Sequence, residues 1–213
     1  MKRALMIQGG WDGHEPATVA KFFAKALEGE GYQVDVADKL NALDDIDTLK
    51  SYDLISPCWT MGALSPEQSR NLCDAIRGGV GLGGFHGGMG DAFRGDLDYE
   101  WMVGGHFVGH PFVGEYTVEV KDSSHPITEC LPSTFIYDSE QYYMLTDPGI
   151  TVLATTIYQH EGSSVTMPVI WTKQWGAGRV FYSALGHKAE EFTNYPSVAQ
   201  MTVAGMKWAT QSN

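Results

Sequence analysis

The sequence predicts an α/β protein built on a mainly parallel β-sheet flanked by helices, with extra antiparallel strands in its C-terminal half. In the first half, short apolar runs alternate with amphipathic helical segments, which is the order of βαβ units. In the second half, strand-like segments follow one another and are joined by Gly, Pro and Asp turns. Of the 213 residues, 43% are hydrophobic, which can supply a sizeable core, so we expect one domain over residues 1–213.

Each element of the first half rests on a local pattern. An apolar run ends at a Gly-Gly pair, and a loop then leads into a helical period that ends at glycine. Ser65 as N-cap and Pro66 in the first turn mark the start of another helix. The repeated β-α-β order predicts parallel strands with helices on both faces of the sheet and right-handed crossovers. The predicted order is strand 3–8, helix 17–31, strand 32–38, strand 52–57, helix 65–79 and strand 79–85.

The second half predicts strands that either extend the parallel sheet or pack as an antiparallel layer beside it. A small helix near residues 91–94 precedes them, and a glycine-rich loop follows that helix. The last segment returns to a helical period. The predicted elements are strands 115–122, 133–145, 150–158 and 167–185, then helix 195–210.

The net charge of −12 argues against several classes of partner. It repels a polyphosphate backbone and no Lys/Arg cluster offsets it, so we expect no nucleic-acid partner and favour a neutral or cationic small molecule. No apolar run approaches the length of about 18 residues that a membrane span needs, and the apolar start is too short for a signal peptide. We therefore expect a soluble, cytoplasmic protein without membrane contact. A homo-oligomer is compatible with the sequence.

Three histidines follow predicted strands: His14, His86 and His187. Ligands of open parallel sheets bind beyond the carboxyl ends of the strands, so we expect these imidazoles at one edge of the sheet. In "GGFHGG", His86 occupies a sharp strand-to-helix turn among small residues, the geometry of a nucleophile elbow, which exposes one side chain. An imidazole there suits acid/base catalysis or metal binding. The plainer interpretation is a histidine with satisfied hydrogen bonds in a tight turn, or a packing residue beneath a loop.

The three cysteines, Cys58, Cys73 and Cys130, are an odd number without CxxC spacing. This predicts reduced thiols instead of a disulfide framework or a zinc ribbon. Neither Cys58 nor Cys73 stands where an elbow nucleophile would be, so acyl transfer by a Cys-His pair is not expected.

The segment "DSEQYY" places Asp138, Glu140 and Tyr142 on one strand face. This is either the polar face of an exposed edge strand or the site of a partly buried carboxylate. In the second case the aromatic neighbours would raise the pKa of Glu140 and make it an acid or base near neutral pH. We therefore predict His86, Glu140 and His187 as catalytic residues.

A divalent metal ion, Zn²⁺ or Mn²⁺, is an alternative within the enzyme class. His14, His86, Glu140 and His187 offer nitrogen and oxygen ligands that could converge above the sheet. No helical ligand pair supports a metal, since Gly109 and Pro111 interrupt "HFVGHP". The sequence requires no cofactor.

Aromatic rings in the loops suggest a sugar ligand, because Trp and Tyr faces stack on the C–H surfaces of sugars. Most such residues are nevertheless core residues in other proteins. The predicted substrate-binding residues are His14, Trp11, Trp59, His106, His110 and Tyr142.

The stretches 83–111, 125–132, 138–145 and 167–187 together resemble the ThuA-like, or trehalose utilisation, family. The resemblance covers nearly the whole chain in the same order. It implies a flavodoxin-like fold of the class I glutamine amidotransferase-like superfamily without the amidotransferase cysteine, so the chain is not expected to be a glutamine amidotransferase. It also implies a place in carbohydrate catabolism, where a partner dehydrogenase makes 3-keto sugars.

Two hypotheses about function follow. In the first, the protein acts on a 3-keto glycoside: His86 or His187 removes the C2 proton, Glu140 is the acid, and the C1 substituent leaves by β-elimination before water adds. A helix N-terminus or a metal ion would stabilise the enolate. In the second, the chain is a non-catalytic small-molecule-binding or partner subunit, and fold alone does not separate the two.

Overall fold

The computed structural model describes residues 1–210, whose strands form a single mixed sheet. In chain order, the strands are β1 (Lys2–Gly10), β2 (Tyr32–Ala37), β3 (Leu54–Thr60), β4 (Gly81–Phe85), β5 (Gly105–Val120), β6 (Thr134–Thr146), β7 (Thr151–His160), β8 (Ser163–Trp175) and β9 (Gly178–Ser183). The helices are α1 (Pro16–Gly29), α2 (Ile46–Lys50), α3 (Pro66–Arg77), α4 (His86–Gly90), α5 (Leu97–Val103), α6 (Ala189–Asn194) and α7 (Pro196–Ala209).

The strand order is β2-β1-β3-β4-β9-β8-β7-β5-β6. Every pairing from β2 to β9 is parallel, and every pairing from β9 to β6 is antiparallel. The predicted α/β class with a parallel sheet and extra antiparallel strands is therefore confirmed. Of the two arrangements left open for the second half, the structure has the first, because the later strands extend the same sheet.

Helices cover both faces of the parallel part of the sheet. α1 packs with α6 and α7, and α3 packs with α5. α7 lies directly on β4, where a Cβ atom on Gly81 would be 2.5 Å from the carbonyl oxygen of Ala209. Glycine at that position permits the close approach of helix and strand. All five residues of β4 are buried, so the strand that leads to His86 is fixed on both faces.

The antiparallel side of the sheet curls back towards the parallel side. Five strand-to-strand intervals separate β4 from β6 in the sheet order. At about 4.8 Å per interval, a flat sheet would place these strands about 24 Å apart. His86, at the end of β4, nevertheless reaches Glu140 of β6. Register irregularities of β5 between Phe107 and Phe112 contribute, because such irregularities bend and twist a strand.

The structure corrects the sequence prediction between β4 and β5. The predicted small helix at 91–94 is a turn, because Phe93 adopts a φ of 52° and a helix needs negative φ. The helix of this region is α5, whose N-cap Asp96 accepts from the backbone N–H of Tyr99. The predicted glycine-rich loop is the first part of β5, which starts at Gly105. The sequence interpretation also missed α2.

Within residues 1–210, no helix is both long and apolar enough to cross a membrane.

Candidate active site

His86 stands at a strained turn between β4 and α4. Its φ is 44°, in the left-handed region that residues other than glycine rarely adopt, which agrees with the predicted elbow geometry. The expectation that an elbow exposes the side chain is wrong, since His86 is only 1% exposed. Its ring stacks on Tyr142 at 4.0 Å between centroids, and its Nδ1 lies 3.0 Å from the carbonyl oxygen of Ala184. These contacts bury the ring and fix its orientation.

His14 follows β1 in a single 3₁₀ turn and lies beside His86. The two ring centroids are 4.9 Å apart. Nδ1 of His14 is 2.7 Å from the hydroxyl oxygen of Thr60 at the end of β3, which leaves Nε2 for another ligand. A Cβ atom on Gly87 would be 2.4 Å from Cε1 of His14, so the ring requires a residue without a side chain in α4.

His187 follows β9 and completes the group of three imidazoles. Its ring centroid is 5.1 Å from that of His14 and 5.3 Å from that of His86. Its Nε2 atom is buried and has no hydrogen-bond partner among the described residues. On the other side, the backbone N–H of His187 donates to Glu191, and Nδ1 lies 3.9 Å from the same carboxylate.

Glu140 faces all three rings from β6 and is itself buried. Its Oε2 is 3.3 Å from Nε2 of His86, and its Oε1 is 3.7 Å from Nε2 of His187. His110 of β5 approaches from the more exposed side, with Nε2 3.5 Å from Oε1. The carboxylate is therefore surrounded by imidazole nitrogens.

The surroundings of Glu140 reverse its expected pKa shift. Burial alone raises the pKa, as the sequence interpretation assumed. The hydrogen bond with His86 and the electrostatic interactions with His86, His187 and His110 together outweigh burial and lower the pKa of Glu140 to about 2. The prediction of a raised pKa is wrong because it considered aromatic neighbours and no histidines. Glu140 is ionised at neutral pH.

Burial and mutual repulsion keep two of the imidazoles neutral. Burial is the larger cause for His14, and the neighbouring His86 and His187 add to it, so that the pKa of His14 falls to about 3. Burial and His86 also lower the pKa of His187. Neutral imidazoles retain a nitrogen lone pair, which can accept a proton or bind a cation.

Aromatic rings line the approach to the histidines. Trp11 is 48% exposed and meets His14 edge-on, with centroids 4.7 Å apart. Phe107 packs on Tyr142 at 4.4 Å, and the guanidinium of Arg94 lies 5.9 Å above Phe107. Such rings offer apolar faces to a sugar.

Two predicted substrate residues lie apart from this group. Nδ1 of His106 is 3.2 Å from Glu100 of α5, so its described ion pair is with that carboxylate and not with Glu140. Trp59 packs between Gly9 and Gly62, and no described ring contact joins it to an imidazole.

The buried thiols of Cys58 and Cys73 have pKa values raised by burial to about 12, so neither supplies a thiolate near the histidines.

The sequence interpretation missed residues that orient the imidazoles. Glu191 accepts from the Tyr137 hydroxyl at 2.6 Å and the Ser139 hydroxyl at 2.9 Å, as well as from the His187 backbone. Thr60 and the carbonyl of Ala184 hold the other two rings. The one available signal was the spacing of His187 and Glu191, four residues apart.

Three of these side chains could hold a metal ion. One ligand atom each from His14, His86 and Glu140 lie within 4.8 Å of one another, and all three residues are buried. Two nitrogens and one carboxylate oxygen suit Zn²⁺ and related dications.

A family model described as trehalose utilisation, ThuA, matches residues 3–209. The chain belongs to the ThuA family. This membership connects the protein with sugar metabolism and confirms the resemblance seen in the sequence. No curated protein matches the chain.

Solved structures of ThuA-like proteins share the fold. A ThuA-like protein from Bacteroides uniformis superposes with a TM-score of 0.79 at 20% identity, covering 98% of this chain and 91% of its own. One from Parabacteroides merdae gives 0.79 at 19% identity, covering 99% and 90%. A cytoplasmic protein from Salmonella typhimurium gives 0.66 at 12% identity, covering 98% and 99%. At these identities the similarity shows the flavodoxin-like fold.

Proposed function

We propose that this ThuA-family protein is a cytoplasmic enzyme of trehalose or glycoside catabolism that cleaves a 3-keto sugar or glycoside by acid/base chemistry. One observation carries the proposal: the carboxylate of Glu140 faces Nε2 of His187 at 3.7 Å, beside two further imidazoles, and this buried nitrogen has no hydrogen-bond partner within residues 1–210. A neutral imidazole with a free lone pair beside an anion is arranged to take a proton.

His187 is the base of the proposed reaction. Glu191 lies on the Nδ1 side of its ring, so the Nε2 lone pair faces Glu140. A ketone at C3 of the sugar acidifies the proton on C2, which His187 removes to give an enolate. The carboxylates of Glu140 and Glu191 stabilise the imidazolium that forms, as anions within a few ångströms do.

His110 is the proposed acid. Its Nε2 lies 3.5 Å from Glu140, and its side chain is 42% exposed, which allows proton exchange with solvent. As the enolate collapses, the bond from C1 to the glycosidic oxygen breaks, and His110 protonates that oxygen. Water then adds across the C1–C2 double bond and gives the free 3-keto sugar and the released alcohol or sugar. In this proposal the acid is His110 in place of Glu140, because the neighbouring histidines lower the pKa of Glu140 and favour its ionised form.

The aromatic rings and the net charge favour a neutral sugar as the substrate. Trp11 and Phe107 present apolar ring surfaces next to His14 and Tyr142. The charge of −12 disfavours phosphorylated substrates.

Sugar release from a 3-keto glycoside tests this function. Purified protein is incubated with 3-keto-trehalose and, separately, with trehalose, and free sugar is measured over time. We expect release from the ketone only, because C2 of trehalose carries no acidified proton. Binding of 3-keto-trehalose without release would instead support the non-catalytic binding subunit.

A further inference from the structure

The orientation of His86 creates an electrostatic conflict with Glu140. A carbonyl oxygen only accepts hydrogen bonds, so the 3.0 Å contact with Ala184 places a hydrogen on Nδ1 of His86. In the neutral ring Nε2 then carries a lone pair, and it lies 3.3 Å from Oε2 of Glu140. Two lone pairs at this distance repel each other unless a proton or a cation lies between them.

The same conflict recurs at His187. Its Nε2 atom is buried without a hydrogen-bond partner among residues 1–210 and lies 3.7 Å from Oε1 of Glu140. Leaving a buried nitrogen unpaired costs about 1–3 kcal/mol. A single proton on His86 would satisfy one contact and leave the other, whereas a cation near Glu140 attracts every lone pair that faces it.

We propose that His14, His86 and Glu140 bind one divalent transition-metal ion, Zn²⁺ or Mn²⁺. Their ligand atoms lie within 4.8 Å of one another. When the metal–ligand bonds are about 2.1 Å long, two ligand atoms of a tetrahedral Zn²⁺ lie about 3.4 Å apart. This is close to the 3.3 Å between Nε2 of His86 and Oε2 of Glu140. Three protein ligands leave the position open that a catalytic metal uses for water or substrate.

The outer contacts of the ligands match those of metal-binding histidines. Such histidines usually engage a carbonyl, carboxylate or water through the nitrogen that does not bind the metal, and this fixes the ring. His86 engages the carbonyl of Ala184, and His14 contacts the hydroxyl of Thr60. Both imidazoles are thus held with Nε2 available.

The role of the ion in the reaction rests on the proposed function. Next to His187, it would polarise the C3 ketone and stabilise the enolate. The binding of the ion is independent of any substrate, so the two proposals can be tested separately.

Ion binding is measured on the full chain after treatment with a chelator and its removal. Zn²⁺, Mn²⁺ and, for comparison, Mg²⁺ are titrated calorimetrically without sugar, and elemental analysis gives the stoichiometry. We expect one Zn²⁺ or Mn²⁺ per chain and much weaker Mg²⁺ binding, because imidazole ligands disfavour Mg²⁺. A chain that binds neither Zn²⁺ nor Mn²⁺ would overturn the metal site.

Asparagine variants identify the ligands. In His14→Asn and His86→Asn, the side-chain amide can replace the hydrogen-bond contact of Nδ1, but the Nε2 ligand is lost. Asn also tolerates the positive φ of residue 86. Each variant should bind Zn²⁺ or Mn²⁺ at least about 100-fold more weakly. The control is His125→Asn, because His125 accepts a hydrogen bond from the backbone N–H of Ile127, and this variant should bind the ion like the wild type. Equal losses in all three variants would contradict the assignment.

Glu140→Gln provides an independent variant if either asparagine variant does not fold. It keeps the shape of the side chain and should also weaken Zn²⁺ binding strongly, and unchanged binding would overturn the ligand set. A chain that binds Zn²⁺ with these properties but releases no sugar from 3-keto-trehalose would refute the proposed function alone.

Discussion

Nε2 of His86 and Oε2 of Glu140 lie 3.3 Å apart, although the two residues are 54 positions apart in sequence and five strand intervals apart in the sheet. The pair joins the carboxyl edge of the parallel half of the sheet to the curled antiparallel half. The candidate active site therefore depends on both halves of the chain.

Replacing Glu140 by Gln should lower kcat about 100-fold on a 3-keto glycoside and change KM by no more than a few-fold. The carboxylate stabilises the imidazolium of His187, which forms only as the reaction proceeds, so the loss affects the transition state more than binding. Steady-state kinetics measure both constants, and Glu115→Gln on the exposed surface of β5 is the matched control. A variant with wild-type kcat would exclude a catalytic role.

Glu191 should act as a positioning residue for His187. Its charge raises the pKa of that imidazole, so Glu191→Gln should lower the pKa and move the acidic limb of the pH–rate profile to lower pH. Proton removal at neutral pH should become about 10-fold slower, with KM unchanged. The pH profile of kcat distinguishes this effect from a general loss of structure.

The control for Glu191 is its exposed neighbour, Glu190. Glu190→Gln should keep the wild-type profile. If Glu191→Gln lowers kcat equally at every pH, Glu191 supports the fold and does not tune His187.

Trp11 should contribute to substrate binding and not to the chemical step. Its ring is half exposed beside His14, and loss of a stacking surface weakens ground state and transition state alike. Trp11→Ala should therefore raise KM several-fold with kcat nearly unchanged. Trp101→Ala is the matched control, because Trp101 is 60% exposed and packs on Trp175 away from the histidines. A rise in KM in both variants would argue against a specific sugar surface.

The ion pair between Lys173 and Asp147 predicts a pH-dependent stability. The hydrogen bond from Lys173 lowers the pKa of Asp147 below its usual 3.8. Because the folded-state pKa lies below the unfolded value, the pair stabilises the protein above the unfolded pKa and loses this effect as pH falls through the folded pKa. Asp147→Asn should therefore lower Tm at pH 7 and have a smaller effect below about pH 4.

Thermal unfolding of both proteins across this pH range measures the difference. Asp38→Asn is a control, since Asp38 is exposed and its carboxylate makes no hydrogen bond or ion pair among residues 1–210. A Tm difference for Asp147→Asn that stays constant with pH would show that the ion pair does not contribute through charge.

Local signals in the sequence account for most of the parallel half of the fold. The periodicity of residues 17–31, the Ser65-Pro66 helix start and the glycine-rich turn at His86 are local signals, and local backbone preferences act over a few residues. The rule that ligands bind at the carboxyl ends of parallel strands then placed His14 and His187 beside His86. The single domain and the homo-oligomer stay predictions.

The geometry of the candidate site follows from contacts between segments that are far apart in the chain. Glu140 reaches His86 because the sheet curls, and curvature depends on register irregularities that no local pattern specifies. The pKa of Glu140 falls instead of rising because three histidines from distant segments surround it, and Coulomb interactions depend on distance in space. The same reason applies to Glu191, which accepts hydrogen bonds from Tyr137 and Ser139 of β6 and from the backbone of His187. The only sequence signal for this role is its position four residues after His187.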